Sequence, residues 1–147
     1  MTDVVLVDDN SNDADLALRV VRKNSSGANI ELLEDGELAI DYFQNLLKMK
    51  PTDESHIGNL PKLVMLDLKL PKIDGLEVLK FLRDHDEFNC MPIVVLSSSR
   101  EISDVKRAYE LGANSFVVKP VQFDVYLTQV SSLVNYWMTV NELPRGA

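Results

Sequence analysis

The sequence predicts an α/β fold, a doubly wound parallel sheet of five strands with five helices. Five short apolar runs rich in Val, Ile and Leu alternate with segments whose apolar residues recur at helical spacing. Parallel strands need crossover connections, which helices supply, so this alternation favours a sheet covered on both faces. Several apolar runs also end in a polar side chain, at the strand end where open parallel sheets carry their chemistry.

The first two strands and helices fill the first third of the chain. Residues 4–7 are a β-branched run, and residues 29–33 form a weaker strand because Glu31 interrupts the apolar run. Polar residues at 10–12 can cap the first helix, and Ser-Ser-Gly at 25–27 ends it. The second helix follows Asp35-Gly36, and its apolar face contains Leu38, Tyr42, Phe43 and Leu46.

The third strand, residues 63–67, is a strongly apolar run that ends in Asp67. Pro71 and a glycine four residues later predict a turn, which leads into a third helix over about residues 75–86. The polar segment 49–61 before this strand is longer than most loops in a compact domain. It serves either as a binding element or as a tolerated insertion.

The last two strands are predicted at residues 93–96, followed by Ser97, and at residues 115–118, followed by Lys119. The fourth helix is expected from about Glu101 to Gly112, with Ile102, Val105, Ala108 and Tyr109 facing inward. The fifth has the clearest helical stripe of the chain, mainly core, made of Phe123, Tyr126, Leu127, Val130, Leu133, Val134 and Trp137.

The length and composition indicate one soluble domain. The 147 residues are 46% hydrophobic and 26% charged, so we expect a single domain over 1–147, with a core of about 3–135 and a tail of about 136–147. A net charge of −8 argues against a nucleic-acid partner. The chain shows no signal peptide and no apolar run that could cross a bilayer, so no membrane association is expected. The single cysteine, Cys90, is expected to be an inert, partly buried thiol in a cytoplasmic protein.

Polar side chains follow four of the five predicted strands: Asp8 and Asp9, Asp67, Ser97 and Lys119. In the strand order 2-1-3-4-5 these ends share one edge, and the carboxylates flank the point where the order reverses. Each pair of like charges at about 4 Å costs roughly 4 kcal/mol at an effective dielectric constant near 20. The three carboxylates therefore call for a cation, and their oxygen ligands suit Mg²⁺.

The same residues predict phosphoryl transfer to Asp67. Its carboxylate is ionised near neutral pH and can attack a phosphorus atom in line without a general base. A metal ion, the ammonium of Lys119 and the hydroxyl of Ser97 can each meet one equatorial oxygen of the transferred group. Positioning and electrostatic stabilisation would supply most of the catalysis.

These residues resemble the receiver domain of two-component response regulators. The likeness rests on Asp8-Asp9, Asp67, Ser97 and the run from Gly112 to Pro120, and it covers residues 3 to about 135. It implies a flavodoxin-like receiver fold in which Asp67 accepts a phosphoryl group from a sensor histidine kinase. A protein of this kind is a phosphoacceptor that phosphorylates and dephosphorylates itself, and no turnover enzyme is expected.

The resemblance also implies roles for individual residues. Mg²⁺, with Mn²⁺ as a possible substitute, would be bound by Asp9, Asp67 and the backbone carbonyl of Lys69, and by Asp8 through a water. Ser97 and Phe116 match the switch positions, where Phe116 replaces the tyrosine common in other receivers. Ser98 would contribute its backbone amide, Lys119 would contact the phosphoryl group, and the Lys119–Pro120 peptide bond is expected to be cis. The Lys69 side chain lies where the family tunes the lifetime of the phosphorylated state.

Two further segments, Pro92 to Ser99 and Tyr136 to Pro144, resemble single-domain regulators paired with phytochrome histidine kinases of cyanobacteria and other bacteria. A phytochrome-type kinase is therefore the expected partner. No second domain is expected, so signalling would proceed by a change of partner or of dimer. The tail is expected to expose Tyr136, Trp137, Met138 and Leu143 and to form a homodimer with the fourth helix, fifth strand and fifth helix.

Three alternatives stay open. An aspartyl-nucleophile phosphohydrolase would carry a second carboxylate two residues after the nucleophile, where this chain has Lys69. A flavodoxin-like cofactor protein would need a phosphate-binding first loop, whereas Asp8 and Asp9 repel phosphate unless a metal is bound. The third alternative is a receiver-like interaction module that never carries phosphate.

Overall fold

Five parallel strands form the sheet of this protein in the computed structural model, which describes residues 2–25, 27–49 and 60–144. The strands are β1 (Val4–Val7), β2 (Ile30–Leu33), β3 (Leu63–Leu66), β4 (Ile93–Ser97) and β5 (Ser115–Val118). Their order is β2-β1-β3-β4-β5, so the expected fold is confirmed. Most of the long segment 49–61 lies outside the described residues, and its role stays a prediction.

The described residues contain five α-helices, at α1 (Ser11–Asn24), α2 (Gly36–Lys48), α3 (Gly75–Arg83), α4 (Ile102–Glu110) and α5 (Phe123–Asn135). Side-chain caps start three of them, since Asn10, Asp35 and Asp74 each accept a hydrogen bond from the backbone N–H three residues later. α3 ends three residues before the expected end at residue 86, because residues Asp86–Phe88 form a 3₁₀ turn instead.

Both faces of the sheet are buried, as a parallel sheet between two helical layers requires. Alternate strand residues therefore point into two separate cores. One core lies on the side of α2, α3 and α4 and contains Val5, Val7, Val64, Leu66, Ile93 and Val95. The other lies on the side of α1 and α5 and contains Val4, Leu6, Leu63, Met65, Val94 and Leu96.

The inward face predicted for α4 is wrong for two of its four residues. Ala108 is buried and Val105 is half-buried, but Ile102 is 75% exposed and Tyr109 is 50% exposed. Ile102 is the first residue of this short helix, at its outer end. Tyr109 lies beside the sheet, where its hydroxyl accepts a hydrogen bond of 3.2 Å from the N–H of Phe116 in the edge strand. A helix packed along an edge strand buries a narrower face than its apolar pattern suggests.

Phe123, expected at the start of the core stripe of α5, is 59% exposed because it is the first residue of the helix, before the stretch that packs against α1. Beyond α5 the chain continues as a π-helix, Tyr136–Val140. Trp137 and Met138 are half-buried against the second core, and Leu143 is half-buried as well, so of the four expected tail residues only Tyr136 is exposed. The continued helix keeps the tail against the domain.

Cys90 is exposed, which corrects the expected partial burial. It lies in the turn between Phe88 and Met91, whose side chains fill the core and leave the residue between them facing outward. Within the described residues, no helix is both long enough and apolar enough to span a bilayer.

Candidate functional site

Two buried carboxylates extend the two central strands at their carboxyl ends. The N–H of Asp67 donates to the carbonyl of Val7 (2.9 Å), and the N–H of Asp8 donates to the carbonyl of Leu33 (3.1 Å). The sheet ladder thus continues for one residue past β3 and β1, which holds Asp8 at 2% and Asp67 at 6% exposure. Asp9 is exposed beside them, and carboxylate oxygens of Asp8, Asp9 and Asp67 lie within 4.8 Å of one another.

Lys119 brings a buried cation to these carboxylates. Its backbone N–H donates to the carbonyl of Ser97 (2.8 Å), so β5 is anchored to β4 at this point. Its Nζ lies 2.8 Å from Asp8 Oδ2, 3.1 Å from Asp67 Oδ2 and 3.1 Å from Asp13 Oδ2. The side chain is only 8% exposed. An ammonium has three N–H donors, and here three carboxylates face them.

The expectation of a cis Lys119–Pro120 bond is wrong, since the described residues contain no cis peptide. With the bond trans, the form that X–Pro bonds ordinarily prefer, the Lys119 ammonium already reaches its three carboxylates.

Burial and neighbouring charges shift the pKa values of Asp8 and Lys119. Desolvation raises the pKa of the Asp8 carboxyl overall, although the hydrogen bond that Asp8 accepts from Lys119 lowers it. Burial alone would lower the pKa of Lys119, but the hydrogen bond from Lys119 to Asp8 and the charges of Asp8 and Asp67 raise it overall. Lys119 is therefore a fixed positive charge at neutral pH.

The loop after Asp67 shapes the acceptor. The backbone N–H of Lys69 donates to Asp67 Oδ1 (3.2 Å), while the Lys69 side chain is exposed. Gly75 packs directly against this loop, and a Cβ there would overlap the carbonyl oxygen of Asp67. The turn predicted between Pro71 and Gly75 thus presents a carboxylate with one oxygen on a backbone amide and the other on an ammonium.

The predicted hydroxyl switch lies in the loop after β4. Ser97 is fully buried, and its Oγ accepts a hydrogen bond from the N–H of Ser99 (3.2 Å). The Ser99 hydroxyl in turn donates to Asp104 Oδ2 (2.6 Å), which ties the loop to α4. Ser98 is exposed between them, and Phe116 is half-buried against the first core.

Sequence reasoning missed one member of the cluster, Asp13. The chain positions residue 13 in the first turn of α1, where its N–H donates to the capping oxygen of Asn10 (3.1 Å). The signal available in the sequence was the helix cap. If Asn10 is the N-cap, Asp13 lies in the first turn of α1, only a few residues after the Asp8-Asp9 pair. Residues 10–12 were all plausible caps, so the sequence left the rotation of this turn open.

The donor set fits a divalent cation. Asp8, Asp9 and Asp67 offer only carboxylate oxygens, the ligand type that hard cations such as Mg²⁺ and Mn²⁺ prefer. The Asp9 side chain is exposed, which gives a hydrated ion a path to the two buried carboxylates.

Comparison with known proteins identifies the family. The profile of the response regulator receiver domain matches residues 4–131. The chain belongs to this family. Among curated relatives, the probable methanogenesis regulatory protein FilR2 of Methanothrix harundinacea is 35% identical over 144 residues, which cover 98% of this chain and 88% of FilR2.

Two solved receiver structures match nearly the whole chain. The Mn²⁺-bound form of response regulator Rcp1, a Synechocystis protein, has a TM-score of 0.83 at 29% identity and covers 98% of this chain and 99% of its own. The phosphorylated cyanobacterial phytochrome response regulator RcpA has a TM-score of 0.82 at 27% identity, with 97% and 98% covered. These likenesses extend through the tail of this receiver domain.

Proposed function

We propose that this receiver domain accepts a phosphoryl group on Asp67 from a phosphohistidine of a sensor histidine kinase, in a reaction that depends on Mg²⁺. One observation carries the proposal: the buried Asp67 carboxylate has Lys119 Nζ 3.1 Å from one oxygen and an exposed carboxylate, Asp9, beside it. A nucleophile, a fixed cation and a ligand set for a metal thus converge at one strand edge. Family membership supports the same chemistry.

In the proposed step, an oxygen of Asp67 forms a bond to phosphorus while the P–N bond of the donor phosphohistidine breaks. The donor imidazole leaves with the bonding electron pair and becomes neutral histidine after it takes up one proton. Lys119 offers its N–H donors to the transferred oxygens, so the developing charge meets an existing cation. Asp9, Asp67 and the Lys69 carbonyl, with Asp8 through a water, would hold a Mg²⁺ ion, which would supply further charge neutralisation.

The signal is proposed to leave the site through Ser97 and Phe116. The Ser97 Oγ accepts the Ser99 N–H, but that bond does not use the hydroxyl proton, which can donate to a phosphoryl oxygen once the loop moves inward. The backbone N–H of Ser98 would donate to the same group. Phe116, half-buried in β5 opposite Val95 of β4, would then fill the space that Ser97 leaves, and α4, β5 and α5 would change their surface.

Partner and assembly follow from the same proposal. A phytochrome-type kinase in the cytoplasm is the proposed donor, since RcpA is a phytochrome response regulator and matches 97% of this chain. A homodimer is proposed along α4, β5, α5 and the tail, where Ile102, Tyr109, Phe123, Val125 and Tyr136 are exposed apolar side chains. Sedimentation that shows a monomer at tens of micromolar, with and without phosphorylation, would contradict the dimer.

The direct test is labelling with acetyl phosphate and Mg²⁺, followed by mass spectrometry of the intact protein. We expect one added phosphoryl group on the wild type and none on Asp67→Asn, whose amide is a poor nucleophile. Asp15→Asn, a matched change on the exposed face of α1, should label like the wild type. Full labelling of Asp67→Asn would refute the acceptor assignment. Phosphotransfer from purified phytochrome kinases, compared with other histidine kinases, tests the donor class.

A further inference from the structure

Three carboxylates share the ammonium of Lys119, but two of them have other tasks in the proposed reaction. Asp67 would form the bond to phosphorus, and Asp8 would contact the Mg²⁺ ion through a water. Asp13 is different: it lies 3.1 Å from Nζ, yet it is outside the group of carboxylates close enough to share a metal within the described residues. Its contact with Lys119 does not conflict with the phosphoryl transfer.

The backbone of Asp13 is held from two directions. Its N–H donates to the side chain of Asn10, and its carbonyl accepts a hydrogen bond of 3.4 Å from the hydroxyl of Tyr126 in α5. The next residue, Ala14, is buried in the core between α1 and α5. The Asp13 carboxylate, 30% exposed, therefore projects from a fixed point of the scaffold.

We infer that Asp13 is a positioning residue that keeps the Lys119 ammonium directed into the site when Asp8 and Asp67 are engaged elsewhere. This inference rests on the proposed phosphorylation of Asp67. Lys119 has four rotatable side-chain bonds, so a lysine that lost both other carboxylates would sample several rotamers. Asp13 restricts that freedom without competing for the phosphoryl group.

A purely structural role for Asp13 makes different predictions. A carboxylate in the first turn of a helix is stabilised by the helix dipole, whatever its distance from Lys119. Asp15 in the same helix is exposed and is not a partner of Lys119, so Asp15→Asn makes the same charge change without touching the site. Readouts that depend on Lys119 separate the two roles.

The first readout is the rate of labelling by acetyl phosphate over a range of Mg²⁺ concentrations. In Asp13→Asn we expect the maximal rate to fall about two- to fivefold, the effect that a partly exposed ion pair supports, with the half-saturating Mg²⁺ concentration unchanged. Asp13→Glu keeps the charge and should recover most of the rate, and Asp15→Asn should match the wild type. An unchanged or faster rate in Asp13→Asn would overturn the inference, as would a change confined to the Mg²⁺ dependence.

The second readout needs no phosphorylation. In the unphosphorylated protein the ¹⁵N signal of the Lys119 ammonium should be protected from exchange with water, because three carboxylates accept its protons. We expect that signal to broaden in Asp13→Asn and to persist in Asp15→Asn. Persistence in both variants refutes the positioning role by itself. Wild-type protein that fails to label while the signal responds to Asp13→Asn would refute the proposed function and leave only the ion pair, so the inferred role would fall with it.

Discussion

At opposite ends of its sheet, this receiver domain contains a buried lysine, Lys119, and a half-buried arginine, Arg83, and the two cations are held in different ways. At the carboxyl edge, Lys119 faces the oxygens of three aspartates. At the amino edge, Arg83 at the end of α3 donates to five oxygens, none of them a carboxylate. Those acceptors are the carbonyls of Phe88, Asn89, Met91 and Gly112 and the side-chain oxygen of Asn114.

The difference is visible in the pKa shifts. Burial lowers the pKa of Arg83, and the five oxygens that it contacts among the described residues are neutral, although the guanidinium stays charged at any physiological pH. Burial acts in the same direction on Lys119, but there the hydrogen bond to Asp8 and the charges of Asp8 and Asp67 override it. The carbonyl groups around Arg83 are neutral. The carboxylates around Lys119 are charged, and a carboxylate can also bind a metal ion or accept a phosphoryl group.

The two cations differ in whether the groups that surround them can also bind another ligand. Arg83 joins the end of α3, the start of β4 and the loop before β5, so it fixes the framework. Lys119 contacts carboxylates at strand ends, and in the proposed function Asp8 and Asp67 also bind Mg²⁺ or the phosphoryl group. The same kind of group would thus serve stability at one edge and, in the proposed function, phosphoryl transfer at the other.

The largest expected effect is on labelling at the carboxyl edge. Lys119→Ala removes the cation that meets the transferred oxygens, and loss of one such stabilising group typically slows a reaction by about 10²–10³-fold. The rate of labelling by acetyl phosphate measures it. Lys23→Ala, an exposed position at the end of α1, is the control and should label normally. A Lys119→Ala rate within a factor of two of the wild type would remove Lys119 from the site.

At the amino edge the expected effect is on stability. Arg83→Ala removes the guanidinium donor from the part-buried carbonyls of Met91 and Gly112 and should lower the free energy of unfolding by about 2–3 kcal/mol, as urea titration would show. Arg83→Lys should recover little, because an ammonium cannot reproduce the fork of the guanidinium. The control, Arg107→Ala, changes an arginine with a half-exposed side chain on α4 and should stay within about 0.5 kcal/mol.

Both Arg83 variants, measured where they are folded, should label at the wild-type rate. A stable Arg83→Ala protein that labels slowly would break the division between a structural and a reactive cation. A strongly destabilised Lys119→Ala protein would also contradict this division, because Lys119 would then have a structural role.

The smallest expected effect concerns pH. The folded-state pKa of Asp8 is raised, so the stability that this group contributes is present below its unfolded value near 3.8 and is lost as pH rises through the folded value. Without divalent cations, Asp8→Asn should therefore gain stability relative to the wild type at pH 7, and the gain should shrink as pH falls. Urea titrations of both proteins at pH 7 and pH 5 compare the two. A gain that grows at lower pH would contradict the burial penalty at Asp8.

The sequence anticipated most of the site because strand ends are easy to locate. Asp8, Asp67, Ser97 and Lys119 each follow an apolar run, and the topology that such runs imply places them at one edge. Errors occurred where orientation mattered more than position. Ile102, Tyr109 and Phe123 were assigned to the core from helical spacing, but the ends of a helix and its contact with an edge strand decide which of those residues reach the core.

By itself, the sequence determined the alternation of strands and helices, the two-sided core and the acidic and basic groups at the strand ends, since these follow from periodicity and from the polarity of strand ends. Only the tertiary structure decided which oxygens face Lys119. The third carboxylate, Asp13, depends on the rotation of α1 about its cap and on its packing against α5. The contrast between Lys119 and Arg83 likewise depends on distances between residues far apart in the chain, which no local pattern encodes.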